Sequence, residues 1–389
     1  MEKRFIPLSV PNFNGRELEY VTNAVESEWV STGGKYIEDF ETDIASYLKM
    51  PEAVACQSGT AALHLSLRLA DVQSDDEVIV PTLTFIAAVN PVKYLHAEPV
   101  FMDCDDSLTI DVIKLQSFID TQCDFVNGKL INKISKRHIK AIVIVHVFGN
   151  LADMEEIMKI AKAYNIKVIE DATEALGSYY ETGEYKGKFA GTIGDFGAYS
   201  FNGNKIITTG GGGMLVSTNN DLLKKAKYLS TQAKDDVLYY IHNDIGYNYR
   251  MTNLQAALGK AQLQQLEDFI KTKEKNYEAY KKGIENIKGL SILPFNKNIR
   301  SNKWFYSLFI ADDFKYSRDE LLKHLNEKGV QTRPIWGLIN EQQPYKESFA
   351  YNIEKAKYYI DRILSIPCSS NLSDDDVQYV LSILKELSE

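Results

Sequence analysis

The feature that most narrows the fold of this chain is a series of short apolar runs set between helical patterns. Val54–Cys56, Glu77–Val80, Pro99–Asp103, Ala141–Val145 and Val168–Glu170 carry little of the alternation that marks a strand wetted on one face. Runs of this kind belong to strands covered on both sides, so they predict a mostly parallel sheet between layers of helix. The intervening patterns predict helices over Thr60–Ala70, Thr84–Tyr94 and Asp153–Tyr164; in the first, Leu63, Leu67 and Ala70 share one face. After Asp171 the rhythm changes. Phe196–Phe201 and Met214–Ser217 read as strands around a glycine-rich turn, and Thr252–Tyr280 as one long helix striped by Leu254, Ala257, Leu258 and Ala261. A strand over Lys303–Ile310 and helices over Arg318–Lys328 and Asp374–Leu387 complete the chain. The expected architecture is α/β: a large domain over residues 1–255, which includes the N-terminal segment, and a smaller α+β domain over 256–389. No Pro/Gly/Ser-rich linker marks the boundary inside the long helix, so the two parts are expected to share a packed interface.

Composition excludes several classes of function. With 44% hydrophobic and 25% charged residues, the 389-residue chain has ample material for a core and does not read as disordered. Its net charge of −9 lacks the basic footprint of a nucleic-acid binder. Cys56, Cys104, Cys123 and Cys368 form no CxxC pair, and no HExxH is present, so neither a disulfide framework nor a metal centre is expected. Ala141–Val145, the longest purely aliphatic run, is far too short to span a membrane, and the first residues lack the apolar stretch of a signal peptide. A cytoplasmic enzyme with no membrane or nucleic-acid partner is the expectation.

Four constellations can carry chemistry. Ser58-Gly59-Thr60 opens a helix, where free amides, two hydroxyls and a glycine can hold an anion; a plain N-cap explains the same residues. Ile169-Glu170-Asp171-Ala172-Thr173-Glu174 places acids at the carboxyl end of a strand, where open α/β sheets bind ligands, although Asp171 could equally cap a helix. Ser200-Phe201-Asn202-Gly203-Asn204-Lys205 sets a lysine among small polar neighbours ahead of Gly210–Gly213. That glycine run is neither a Walker loop nor G-x-G-x-x-G, which removes nucleoside-triphosphate and dinucleotide readings. Gly246-Tyr247-Asn248-Tyr249-Arg250 packs two tyrosines, an amide and a guanidinium just before the long helix.

Together, in this order and spacing, these segments resemble the sugar-nucleotide aminotransferases of the DegT/StrS group, pyridoxal-5′-phosphate enzymes of fold type I. The resemblance runs from Ile6-Pro7-Leu8 and Trp29-Val30-Ser31-Thr32-Gly33 through Pro81-Thr82-Leu83-Thr84-Phe85 and Val147-Phe148-Gly149. It ends with Arg333-Pro334-Ile335-Trp336, Gln343-Pro344-Tyr345 and Leu364–Cys368. It implies that Lys205 bonds the cofactor covalently and moves a proton during transfer, and that Asp171 pairs with the pyridinium nitrogen. It further implies that Phe85 stacks on the ring, that Glu174 lies near the ring hydroxyl, and that Gly59, Thr60 and Ser200 hold the phosphate. Asn248 matches a residue that reaches the phosphate of the neighbouring subunit, which implies a homodimer with shared sites. Ser31, Thr32 and Arg250 are expected to face the nucleotide-sugar. L-Glutamate is the implied amino donor and a nucleotide-linked 4-keto-6-deoxy sugar the acceptor, in a two-stage ping-pong exchange. Gly211 replaces a glutamate found in many relatives. Ser200–Thr209, Ala172-Thr173-Glu174 and Gln232–Asp236 look most like the branch that aminates C4 of UDP-2-acetamido-2,6-dideoxy-hexos-4-ulose. The GDP-perosamine synthase branch, which shares Glu at the position of Glu174 and a Gly-Asn-Lys motif, is the alternative.

Overall fold

A computed structural model describes residues 4–388. Its centre is an eight-stranded sheet in the order Ala53–Cys56, Gly213–Val216, Phe196–Ser200, Lys167–Asp171, Ile139–Val145, Glu77–Pro81, Glu98–Met102, Ala350–Tyr351. Neighbours are parallel except at Gly213–Val216, which runs against both of its partners. The predicted runs are therefore strands, each shifted by a residue or two at its ends. Side chains along a strand alternate between faces, and here the two faces feed two different cores. Val78, Val80, Val143, Val145, Ala198 and Leu215 pack into one, with Leu63 and Leu67 from the helix Gly59–Leu69. Ile79, Ile142, Ile144, Val168, Tyr199 and Met214 pack into the other, with Ile37, Phe40 and Ile44 from the helix Lys35–Leu48. Burial on both faces explains why the runs look continuously apolar.

A second sheet of four antiparallel strands, ordered Leu290–Ile292, Tyr306–Ile310, Ile363–Ile366, Arg333–Pro334, lies in the C-terminal part. Its residues Tyr306, Leu308 and Leu364 belong to the same core as Val54 and Leu63, so apolar packing is continuous between the two sheets. Two segments cross the division expected at residue 255. Ile6 bridges to Val330, and the Cys368 amide donates to the Leu8 carbonyl at 2.8 Å, so the N-terminal segment lies with the C-terminal strands. Ala350–Tyr351 pairs instead with Glu98–Met102 in the large sheet.

Three expected elements differ. The long helix is two, Asn253–Leu263 and Leu266–Ile284. Between them lie Gln264 and Gln265, and the side-chain amides of Gln262 and Gln265 both donate to the buried Glu17 carboxylate, at 2.6 and 2.5 Å. The helix expected over Thr84–Tyr94 is a short 3₁₀ turn, Ile86–Ala88, followed by Asn90–Tyr94; Pro91 lacks the N–H that continuation needs and sits in the first turn of the second piece. The strand expected from Lys303 starts at Tyr306, because Lys303 takes a left-handed backbone (φ 53°). Among the described residues, no helix is long and apolar enough to cross a membrane.

The reversed strand is held close to the helix Gly59–Leu69. A Cβ on Gly213 would lie 2.4 Å from the Ser58 carbonyl. Gly213→Ala is therefore expected to cost about 2–3 kcal/mol through overpacking, read as a lowered midpoint in urea unfolding. A midpoint equal to wild type would show that strand and helix are not locked together there.

Candidate active site

Because most strands share one direction, their carboxyl ends meet along one edge of the sheet. Ser58, Asp171 and Ser200 lie at three of those ends, and Gly211 and Gly212 lead into the reversed strand at the same edge. Together with Thr60, Phe85, Glu174, Lys205, Trp304 and Trp336 they line a cavity of about 360 Å³. Of the residues expected in the site, Gly59, Thr60, Phe85, Asp171, Glu174, Ser200 and Lys205 come together here.

Ser58 caps the helix Gly59–Leu69, its Oγ accepting the Ala61 amide at 3.0 Å. Gly59 permits three segments to converge: a Cβ there would lie 2.9 Å from Ser200 Cβ and 3.0 Å from Thr173 Cγ2. The result is a helix amino terminus, with its unpaired amides, flanked by the hydroxyl residues Ser58, Thr60 and Ser200.

Asp171 ends its strand 3% exposed. Burial pushes its carboxyl above the ordinary range, against the Thr173 amide that donates to Oδ1 at 3.1 Å and the nearby Lys205. Glu174 is also buried, which raises it to about 7 despite Lys205 and the Phe148 amide, which donates to Oε2 at 2.9 Å. Lys205 sits on a loop tied at its base, where the Phe201 amide donates to Gly212 and the Thr209 amide to Phe201, both at 2.9 Å. Its Nζ lies 3.7 Å from Glu174 Oε1 and 4.0 Å from the centroid of the Trp304 ring. Burial lowers the amine's pKa, while Glu174 and Asp171 act in the opposite sense. An amine so placed sheds its charge more readily than one in water, as a nucleophile or proton carrier must.

The remaining expected residues lie elsewhere in the single chain. Arg250 does not face the cavity. It is buried, its guanidinium paired with both Glu41 oxygens, and Glu41 Oε1 also accepts the Ala55 amide at 2.8 Å. Ser31 and Thr32 are exposed, in a loop held by Asn253, whose amide donates to Ser31 O at 2.6 Å. Asn248 is exposed and bridges to Thr231.

Sequence reasoning missed the aromatic wall. Trp304, Phe305 and Trp336 come from far downstream; Trp336 falls in a segment that carries the family resemblance, but no role in the site was read for it. Phe148 packs behind, its ring 4.8 Å from Trp336 and 5.6 Å from Phe305. It also missed Glu170 as an anchor. Glu170 is fully buried and accepts the amides of Gly191, Ile193 and Gly194 at 2.9, 2.7 and 2.6 Å. His146 Nε2 lies 2.9 Å from it, while His146 Nδ1 accepts the Ala152 amide, so the imidazole donates to Glu170 through Nε2. Glu170→Ala would leave three amides and an imidazole without their acceptor. The expected loss is about 3 kcal/mol or more in denaturant unfolding; a loss under about 1 kcal/mol would mean that other acceptors replace the carboxylate.

Comparison with known proteins places this geometry. Residues 11–385 match the model of the DegT/DnrJ/EryC1/StrS aminotransferase family. The chain is 36% identical to the GDP-perosamine synthase of Escherichia coli O157:H7, over 98% of each chain. It is 30% identical to the UDP-4-amino-4,6-dideoxy-N-acetyl-beta-L-altrosamine transaminase of Campylobacter jejuni, over 99% of this chain and 98% of that one. The crystal structure of the aminotransferase TlmJ from Streptoalloteichus hindustanus superposes with a TM-score of 0.88 at 25% identity, over 98% of each chain. With a family match over nearly its whole length and the corresponding fold, the chain belongs to the DegT/DnrJ/EryC1/StrS aminotransferases.

Proposed function

We propose that this aminotransferase moves an amino group from L-glutamate to the C4 keto group of a GDP-linked 4-keto-6-deoxy sugar, the reaction of a GDP-perosamine synthase. The observation that carries the nucleotide choice is the higher identity to the E. coli enzyme, 36% against 30% for the UDP-sugar transaminase. This reverses the order expected from the sequence motifs, which placed the UDP-linked N-acetyl sugar first. The UDP sugar remains the second reading, supported by the resemblance of Gln232–Asp236 and Ser200–Thr209 to that branch.

Pyridoxal 5′-phosphate is the cofactor that family membership brings, and the residues present fit it. A helix amino terminus with Gly59, Thr60 and Ser200 suits a phosphate. A buried Asp171 suits a pyridinium nitrogen, a half-exposed Phe85 on the cavity wall suits an aromatic ring, and Lys205 supplies the amine. When bound, the cofactor supplies an electron sink for the carbon that loses a proton. The chain's own share is proton handling and exclusion of water. Lys205 takes and returns a proton at Nζ, Asp171 would supply the negative charge that a bound pyridinium nitrogen pairs with, and Trp304 covers the Lys205 amine. In the proposed homodimer Asn248 reaches the partner's phosphate site, and Ser31 and Thr32 face the sugar nucleotide. Arg250, engaged by Glu41, is left out of that set. The proposed location is the cytoplasm.

Two experiments test this reading. GDP- and UDP-linked 4-keto-6-deoxy sugars are offered in parallel with L-glutamate, and products are identified by NMR and mass spectrometry. Amination of the GDP sugar at C4 is expected; amination of the UDP sugar alone would establish the second reading, and amination of neither would overturn both. Lys205→Ala is expected to lower kcat by at least about 1,000-fold with an unchanged fold. Turnover near wild type would remove Lys205 from the mechanism.

A further inference from the structure

The turn after the strand Ile139–Val145 holds a residue in an unfavourable conformation. Phe148 has φ 56° and ψ 18°, the left-handed region that side chains other than glycine, asparagine and aspartate enter at a cost, and it is buried. Its ring is held by Trp304, Phe305 and Trp336. In this conformation its N–H points to Glu174, donating to Oε2 at 2.9 Å. The other Glu174 oxygen, Oε1, is left toward Lys205 Nζ, 3.7 Å away. Strain of this kind persists where surrounding structure enforces it, and here its product is the aim of one carboxylate oxygen at one amine.

We propose that Glu174 sets the proton affinity of Lys205 whenever that amine is free: Glu174 Oε1, aimed through the Phe148 amide, holds the amine in its protonated form as an ion pair inside the cavity. The inference rests on the reading of Lys205 as the reactive amine.

The electrostatics agree. Burial disfavours the charge on both groups, and each charge opposes that effect on the other. The charged groups facing the pair are each other and Asp171, which opposes ionisation of Glu174 and favours the charged form of Lys205. Asp171 is turned toward its own donor, the Thr173 amide, while among the described residues Glu174 alone is within ion-pair reach of Nζ. The Trp304 ring also lies 4.0 Å from Nζ, and an aromatic face attracts a cation, so it favours the same protonated form that Glu174 does.

The test reads Lys205 directly, with no substrate and no turnover. The full-length chain freed of cofactor is treated with an amine-acylating reagent across a range of pH, and acylation of the Lys205 peptide is quantified by mass spectrometry. Glu174→Gln keeps a carbonyl oxygen for the Phe148 amide and removes the proton acceptor and its charge. Losing a carboxylate that stabilises the ammonium lowers the pH at which the amine becomes free. The expected result is a midpoint for Lys205 acylation at least about one pH unit lower in Glu174→Gln, a tenfold faster reaction below the wild-type midpoint. Glu174→Asp, which retains a carboxylate, is expected to stay within about half a unit of wild type. No shift in Glu174→Gln, or an equal shift in Glu174→Asp, would overturn the proposal. Either outcome leaves the aminotransferase reading standing, because that reading is decided by the sugar product.

Discussion

The burial of one amine beside two carboxyls is the constraint on which the rest of this site depends. Removing an ammonium and a carboxylate from water costs several kcal/mol per ion. A cation–π contact such as that of Lys205 with Trp304 returns only about 0.5–2 kcal/mol, so it cannot alone offset the cost. Lys205 is tolerable there because Glu174 lies 3.7 Å away and Asp171 is nearby. The same crowding makes the amine ready to lose its charge. Folding and chemistry thus draw on one arrangement: the groups that make burial of Lys205 bearable also set its proton affinity.

The sheet delivers those groups by simple geometry. Consecutive residues on a strand point to opposite faces. At the end of Lys167–Asp171 this separates two acids of different duty. Glu170 turns to His146 and the amides of Gly191, Ile193 and Gly194, pinning the returning loop, while Asp171 turns to the cavity. The neighbouring strand ends at Val145, and its left-handed turn through Phe148 aims Glu174. The reversed strand Gly213–Val216 closes the loop that carries Lys205, so the amine comes back over the same edge. Backbone hydrogen bonds thus hold the Asp171 and Glu174 carboxyls and tie the loop that carries Lys205.

Much of this was legible in the sequence, and the exceptions share a physical cause. Runs such as Ala141–Val145 and Val168–Glu170 were readable as strands because burial on both faces leaves an unbroken apolar signature. Ser58-Gly59-Thr60, Asp171, Glu174 and Lys205 were readable because a local motif carries each of them to the strand ends. Trp304 and Trp336 were not, since nothing near them in sequence says that they will stand across from Lys205. Arg250 was expected at the substrate because the family resemblance implied it, but its partner Glu41 lies on a helix 209 residues earlier, a pairing visible only in three dimensions. The break between Leu263 and Leu266 was hidden for the same reason. It depends on Glu17 drawing two glutamine side chains, and the helical pattern on either side continues through it.

The central claim is that Lys205 is the amine that carries the cofactor. It is tested most directly by reducing the holoenzyme with borohydride, digesting it, and locating the phosphopyridoxyl group by mass spectrometry. The added mass is predicted on the peptide containing Lys205 and on no other lysine. A label on a different lysine, or an unlabelled Lys205 peptide from cofactor-replete enzyme, would contradict it.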